Sequence, residues 1–209
     1  MTDDQEGVIK YELKFIAQKI KIFQQFQKLT YWRSNCFKEG IIGQNSEKYD
    51  AYAYGNLSCR VLEGSTEFYI TGTQTSAKEI IDIADYSLVT RYDIKQNLLV
   101  ATGLVAPSSE ALTHAAVYQL NNRIQYVIHV HSEKIWLARQ TLKLLTTAEN
   151  VAYGTPEMAA EVKRLFKNCN AEKAQIFAMA GHEDGIICFA SDIDDAGNLL
   201  MATLRKVEE

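Results

Sequence analysis

The sequence predicts an α/β fold of three layers, with helices on both faces of an antiparallel or mixed sheet. Two observations carry this. Segments with apolar residues at three-four spacing alternate along the chain with segments of two-residue alternation. Several extended segments also follow one another across short polar joins, which close hairpins more readily than parallel crossovers. No stretch reads as a linker, so the 209 residues are expected to form one domain, 1–209, around one sizeable core.

From the N-terminus, Val8 to Leu29 carries Ile9, Leu13, Ile16, Ile20 and Phe23 at helical spacing opposite lysines and glutamines, and predicts an amphipathic packing helix. Tyr31 to Asp50, mixed and glycine-punctuated, predicts a loop. Ala51 to Leu62 predicts two short strands broken at Gly55-Asn56, where glycine permits a sharp bend. Phe68 to Ile70 is a brief strand entering the hydroxyl-rich turn Thr71-Gly72-Thr73. Ser76 to Ile83 predicts a helical turn or two, and Tyr86 to Tyr92 with Leu98 to Thr102 predicts a hairpin.

Pro107, Ser108 and Ser109 then open a helix. Ser108 suits the N-cap and Glu110 the first turn, where the helix dipole favours negative charge. Leu112, Ala115, Ala116 and Leu120 supply its buried stripe, so Glu110 is expected at an exposed helix mouth. The next strand ends at His131. Trp136 to Thr147 predicts a helix with Leu137, Leu144 and Leu145 inward, and Thr155-Pro156-Glu157 starts another over Val162, Leu165 and Phe166. Gln175 to Ala180 and Gly185 to Ala190 predict strands joined across Gly-His-Glu-Asp-Gly, and Asp192 caps a last helix containing Ala196, Leu199, Leu200 and Leu204.

Composition narrows the function. Hydrophobic residues at 47%, charged residues at 23% and only two prolines describe a globular protein, not a disordered one. A net charge of −4 gives no general attraction for nucleic acid or an anionic membrane, so neither is expected as a partner and small-molecule chemistry is. Cys36, Cys59, Cys169 and Cys188 are scattered without a Cys-x-x-Cys pair and read as free thiols. The acidic start, Met1 to Gly7, does not resemble a signal peptide and no run is apolar enough to span a bilayer, so a cytoplasmic protein is expected.

His129 and His131, two apart on a strand, share one face while Ile128 and Val130 share the other. Two imidazoles side by side can grip one metal ion, although a lone His-x-His is more often a pair of packed rings. The chain has four histidines, and a third, His182, falls at a hairpin tip. That makes a metal site a serious reading.

The residues Tyr-Gly-Asn-Leu-Ser-Cys-Arg at 54–60, Tyr-Ile-Thr-Gly-Thr-Gln-Thr at 69–75, Ala-Pro-Ser-Ser-Glu from 106, Ile-His-Val-His-Ser at 128–132, Tyr-Gly-Thr-Pro-Glu-Met-Ala at 153–159 and Gly-His-Glu-Asp-Gly at 181–185 occur in that order. Together they resemble the class II aldolase/adducin family, which includes fuculose phosphate aldolases, over about Lys10 to Leu204. The resemblance implies a central, mainly antiparallel sheet flanked by helices, assembled as a homo-oligomer, usually a tetramer. It also implies a divalent ion, Zn2+ or another such as Mn2+ or Co2+, held by His129, His131 and His182, with Glu110 as a fourth ligand or as the acid/base. Residues matching Gly55, Asn56, Thr71, Gly72, Ser108 and Ser109 would cradle a substrate phosphate beside a helix N-terminus. His114, one turn after Glu110, is expected to be a structural partner. The activity implied is cleavage of a carbon-carbon bond in a small phosphorylated sugar or ketose. Dehydration or epimerisation on the same metal is the alternative, and an adducin-like scaffold is the non-catalytic one.

Two departures stand out. Family aldolases use a tyrosine near the C-terminus as a proton donor, whereas no tyrosine follows Tyr153 here. Glu183 and Asp184, beside His182, are the candidates to replace it, against a plain solvated turn.

Overall fold

The computed structural model describes residues 7–208, so the acidic start up to Glu6 lies outside the described residues. Its strands are β1 (Glu12–Ala17), β2 (Gly43–Gln44), β3 (Ala53–Tyr54), β4 (Asn56–Arg60), β5 (Phe68–Thr71), β6 (Tyr86–Asp93), β7 (Leu98–Gly103), β8 (Tyr126–His131), β9 (Leu145–Thr146), β10 (Ile176–Ala178) and β11 (Gly185–Ala190). The helices are α1 (Phe26–Lys38), α2 (Ala111–Leu120), α3 (Glu133–Leu137), α4 (Pro156–Asn168), α5 (Ala171–Ala174) and α6 (Ile193–Lys206). Nine strands form one sheet in the order β1-β7-β6-β5-β4-β8-β11-β10-β9, and β2 pairs with β3 separately. Within the large sheet only β1 with β7 and β9 with β10 run parallel. The predicted α/β architecture, a mainly antiparallel sheet between helices, is the one observed.

Strand alternation divides the core. Leu57, Cys59, Ile128, Val130, Ile186 and Cys188 face α1 and α6, where Leu29, Ile193, Ala196 and Leu200 are buried. Phe68, Ile70, Val127, Ile187 and Phe189 face α2 and α4, with Leu112, Ala115, Met158 and Val162. His129 and His131 alternate with Ile128 and Val130, so they point to the α2 side at the end of a central strand. That places two imidazoles where apolar side chains would otherwise pack.

Three expectations fail on local grounds. The helix over Val8 to Leu29 is instead β1 followed by irregular chain: Leu13 and Phe15 are half-buried while Glu12, Lys14 and Ile16 are exposed, a period of two. The real helix, α1, starts at Phe26, inside the end of that segment, and runs on to Lys38, through the first part of the region read as a loop. Its buried stripe is Leu29, Trp32, Arg33 and Cys36, and the polar Arg33 hides the pattern. The Arg33 guanidinium donates to the carbonyls of Ser76 at 3.1 Å and Glu79 at 2.6 Å, which satisfies it in the interior. The helix expected from Trp136 to Thr147 ends at Leu137, which is 64% exposed, and Leu145 and Thr146 form an edge strand beside β10.

Ser76 to Ile83 yields only short 3-10 turns, at Thr75–Ala77 and Ile83–Asp85. The helix expected to be capped by Ser108 starts later, with Glu110 at its N-cap position in place of the first turn; the remaining elements fall where expected, including the Thr155 cap of α4 and the Asp192 cap of α6, whose side chains accept from the Met158 and Asp194 amides. All four cysteines are free thiols, and burial pushes that of Cys36 up to about 12. No described helix is long and apolar enough to cross a membrane.

Candidate metal centre

Strand pairing builds the centre. In β8, His129 lies opposite Asn56 of β4 on one side and Ile187 of β11 on the other, and His131 lies opposite Gly185. His182 comes from the turn between β10 and β11, closed by Met179 N–H to the Gly185 carbonyl at 2.8 Å and Gly185 N–H to the His182 carbonyl at 3.0 Å. A Cβ at 185 would lie 2.7 Å from His182 Cδ2, so a glycine there lets the ring fold back over the sheet end.

The three imidazoles meet. One nitrogen from each of His129, His131 and His182 lies within 4.8 Å of the others, and all three residues are buried. His131 Nε2 and His182 Nε2 are 3.1 Å apart, and Glu110 Oε1 is 3.4 Å from His182 Nε2. Glu110 does not stand at an exposed helix mouth. It is completely buried at the position before α2, with no cap bond from its own side chain, because α2 is an internal helix buried from Ala111 through Tyr118. The Ser108 hydroxyl accepts from the Glu110 amide at 3.3 Å.

Electrostatics fit a cation. Burial pushes His129 down to about 4, and pushes His131 and His182 well below the usual imidazole range, so all three rings are neutral near pH 7. His129 Nδ1–H donates to the Ile186 carbonyl at 3.2 Å, which fixes Nε2 as the lone-pair nitrogen. That Nε2 is buried and has no hydrogen-bond partner among the described residues. An interior acceptor left so is available to an ion, a ligand or a water. Three neutral imidazoles and one carboxylate are a donor set suited to zinc or a similar divalent ion. His114 stays outside this group; its Nδ1 lies 2.6 Å from Ser58 Oγ, which lies 2.7 Å from the Tyr118 hydroxyl.

Aromatic rings wall the centre. Tyr153 sits 4.6 Å from His182 between ring centroids, with Lys10 Nζ 3.9 Å above the tyrosine. Tyr49 and Tyr54 lie 4.7 and 5.3 Å from the His131 ring. None of the three was singled out from the sequence as a site residue, and Tyr49 falls outside any periodic pattern. Of the two carboxylates beside His182, Glu183 is exposed, whereas Asp184 is buried and accepts from the Tyr49 hydroxyl at 2.5 Å. Tyr49, Asp50, Ala51 and Asp184 all have left-handed backbone, with φ of 55, 53, 61 and 62°. Each such non-glycine residue costs about 1–2 kcal/mol, a strain kept only where surroundings enforce it.

The turns expected to cradle a phosphate also converge. Gly55, Asn56, Gly72, Ser108 and Ser109 line one narrow cavity with Gly7, Thr73, Gln74 and Ser76. Gly55, at φ +80°, supplies the bend that brings β3 and β4 past it. Thr71 does not line the cavity; its hydroxyl accepts from Leu57 N–H at 3.2 Å. Two amides expected to face an anion are occupied, Gly72 N–H by the Asp85 carbonyl at 2.7 Å and Ser108 N–H by the Thr71 carbonyl at 3.2 Å. Gln74 is a lining residue missed in the sequence: its backbone is left-handed, and its Oε1 accepts from Ala53 N–H at 3.0 Å.

The profile of the family described as Class II Aldolase and Adducin N-terminal domain matches residues 45–207. No curated protein matches the chain. Among solved structures, an L-fuculose 1-phosphate aldolase superposes with a TM-score of 0.62 at 20% identity, over 87% of this chain and 81% of its own. A sugar-phosphate aldolase from Thermotoga maritima superposes at 0.60 and 16% identity, over 87% and 91%. An L-fuculose-1-phosphate aldolase from Thermus thermophilus gives 0.58 and 15%, over 88% and 90%. At these identities the likeness is one of fold.

Proposed function

The chain belongs to the class II aldolase and adducin family, and from that premise we propose a divalent-metal-dependent lyase that cleaves a carbon-carbon bond of a small phosphorylated sugar or ketose. The observation that carries the reading is the cluster of three buried, neutral imidazoles with the Glu110 carboxylate 3.4 Å from one of them. His129, His131 and His182 would hold the ion, with Glu110 as a fourth ligand or as the acid/base. Bound there, a divalent cation supplies Lewis acidity toward a substrate carbonyl.

The chain's own residues account for the rest. Glu110 takes the proton of the substrate hydroxyl as the carbon-carbon bond breaks toward the carbonyl, and returns a proton to the carbon left behind. Burial of the site excludes water that would quench that carbon unselectively. Gly55, Asn56, Thr71, Gly72, Ser108 and Ser109 shape the phosphate end, five of them lining the cavity, and Asn56 stands cross-strand from His129, so both ends of a short substrate are served together. The sugar-phosphate aldolases of the same fold favour this substrate class.

The same reading makes residues 1–209 one domain of a cytoplasmic enzyme, with Zn2+, Mn2+ or Co2+ as the ion and a homo-oligomer, a tetramer in the family pattern, as its assembly. The test is elemental analysis of reconstituted protein together with a panel of sugar phosphates, reading free aldehyde, dihydroxyacetone phosphate, dehydration product and epimer. We expect one ion per chain and cleavage abolished by a chelator. Absence of stoichiometric metal overturns the site, and an epimer or dehydration product alone moves the reaction to the alternative chemistry.

A further inference from the structure

Tyr49 is held in an unusual way. It opens a run of three left-handed residues, 49–51, none of them glycine. Its hydroxyl bonds to a carboxylate whose own residue, Asp184, is left-handed as well. The two turns therefore meet through one 2.5 Å bond. Around it, Lys48 Nζ lies 3.3 Å from the same Asp184 oxygen and 2.6 Å from Glu133, and the Asp184 carbonyl accepts from Ser132 N–H at 2.8 Å. Ser132 follows His131, and Asp184 is two residues past His182.

We propose that the 48–51 turn is a clamp on the metal centre in which Tyr49 is a positioning residue for His131 and His182. Its ring presses edge-on against His131, at 4.7 Å and 77°, and its hydroxyl anchors the turn that carries His182. Tyr54 braces the arrangement: it packs on Tyr49 at 4.9 Å and donates to the Gly40 carbonyl at 3.1 Å. A phenol has one proton, and that of Tyr49 is directed at Asp184 Oδ2, so in this arrangement the pair serves as an anchor. Asp184 acts through Tyr49, as the acceptor that fixes its orientation. Two left-handed turns hold because each is the other's partner, and the distance between the imidazoles of β8 and of the β10–β11 turn is set by that joint. Groups behind metal ligands commonly change cation affinity by 10–100-fold.

This rests on the metal-site reading above, and the experiment separates the two. Cobalt(II) affinity by chelator competition and the visible spectrum of the cobalt-loaded protein are measured for wild type, Tyr49→Phe, Asp184→Asn, the double variant and Tyr49→Ala. Tyr49→Phe keeps the ring on His131 and loses the anchor, so we expect affinity to fall about tenfold with a shifted spectrum. Asp184→Asn keeps an oxygen that can accept from the Tyr49 hydroxyl but loses the charge shared with Lys48 Nζ, so its affinity should fall by less than about tenfold, and the double variant should fall by less than the two single effects multiplied together, because both residues act through the Tyr49–Asp184 contact. Tyr49→Ala, which also removes the ring, should fall about 100-fold. Wild-type affinity and spectrum in folded Tyr49→Phe overturn the clamp, whatever the thermal stability, and should Asp184→Asn fail to fold, that variant alone decides. Failure of the wild type itself to bind cobalt overturns the metal site instead.

Discussion

The histidine cluster and the narrow cavity proposed to take the substrate phosphate are linked through the Asn56–His129 cross-strand pair, yet the fold treats them differently. At the cluster, His131 Nε2 and His182 Nε2 face each other at 3.1 Å, and His129 Nε2 is left without a hydrogen-bond partner among the described residues. At the cavity the backbone satisfies itself first: the Gly72 and Ser108 amides and the Thr71 hydroxyl already have partners. The Asn56 side-chain oxygen is buried and has no hydrogen-bond partner among the described residues. A buried polar atom left over by the fold is a sharper sign of a ligand than a turn rich in glycine and serine.

The largest effect expected tests that difference directly. His129→Ala removes the unpartnered nitrogen and one of three ring ligands, and should weaken cobalt(II) binding by more than about 100-fold while leaving the sheet intact. Titration followed by visible absorption checks it. Wild-type affinity in this variant would mean that the leftover nitrogen marks nothing.

The same contrast explains how much could be read from the chain. His129 and His131 were legible because a strand repeats every two residues, so spacing alone puts them on one face. Glu110 was legible as a residue but not in its setting: position before a helix suggests an exposed carboxylate, and only the packing of α2 against both sheet and α4 makes it buried. Hairpins such as β6–β7 and β10–β11 were found because their partners are neighbours in sequence. The N-terminal segment was not, since β1 pairs with β7, Glu12 lying opposite Leu98, and a period read locally cannot see that distant partner. Tyr49 escaped for a related reason. Its place is fixed by Asp184, 135 residues later, and by a backbone conformation its residue type disfavours.

A middle-sized effect is expected at the joint between the two sites. Gly55 has φ +80°, and a Cβ there would lie 2.5 Å from Ile42 Cγ1 and 3.2 Å from the His129 carbonyl oxygen. Gly55→Ala should therefore cost about 2 kcal/mol of stability, from strained backbone together with displaced Ile42. Urea unfolding measures it. Because the displaced strand carries Asn56 and faces His129, cobalt affinity should fall in the folded fraction too, and a loss of stability with unchanged cobalt binding would show the sites to be less coupled than their pairing suggests.

The smallest effect belongs to the cavity. Asn56→Leu keeps the branched shape of the side chain but replaces its carboxamide, whose NH2 can donate to a phosphate oxygen, with two methyls in the wall of the cavity. One hydrogen bond to a phosphate oxygen corresponds to about tenfold in affinity, so KM for a phosphorylated substrate should rise by about that factor. Turnover at saturation should change little, because Glu110 and the three imidazoles are untouched. Cobalt affinity should stay at the wild-type value, which separates this variant from Gly55→Ala. Inorganic phosphate should inhibit the wild type competitively and inhibit Asn56→Leu about tenfold more weakly. Equal KM values for wild type and variant, or equal use of a phosphorylated sugar and its dephosphorylated form, would remove the anion from the cavity and leave the buried Asn56 oxygen as a feature of the metal site's own wall.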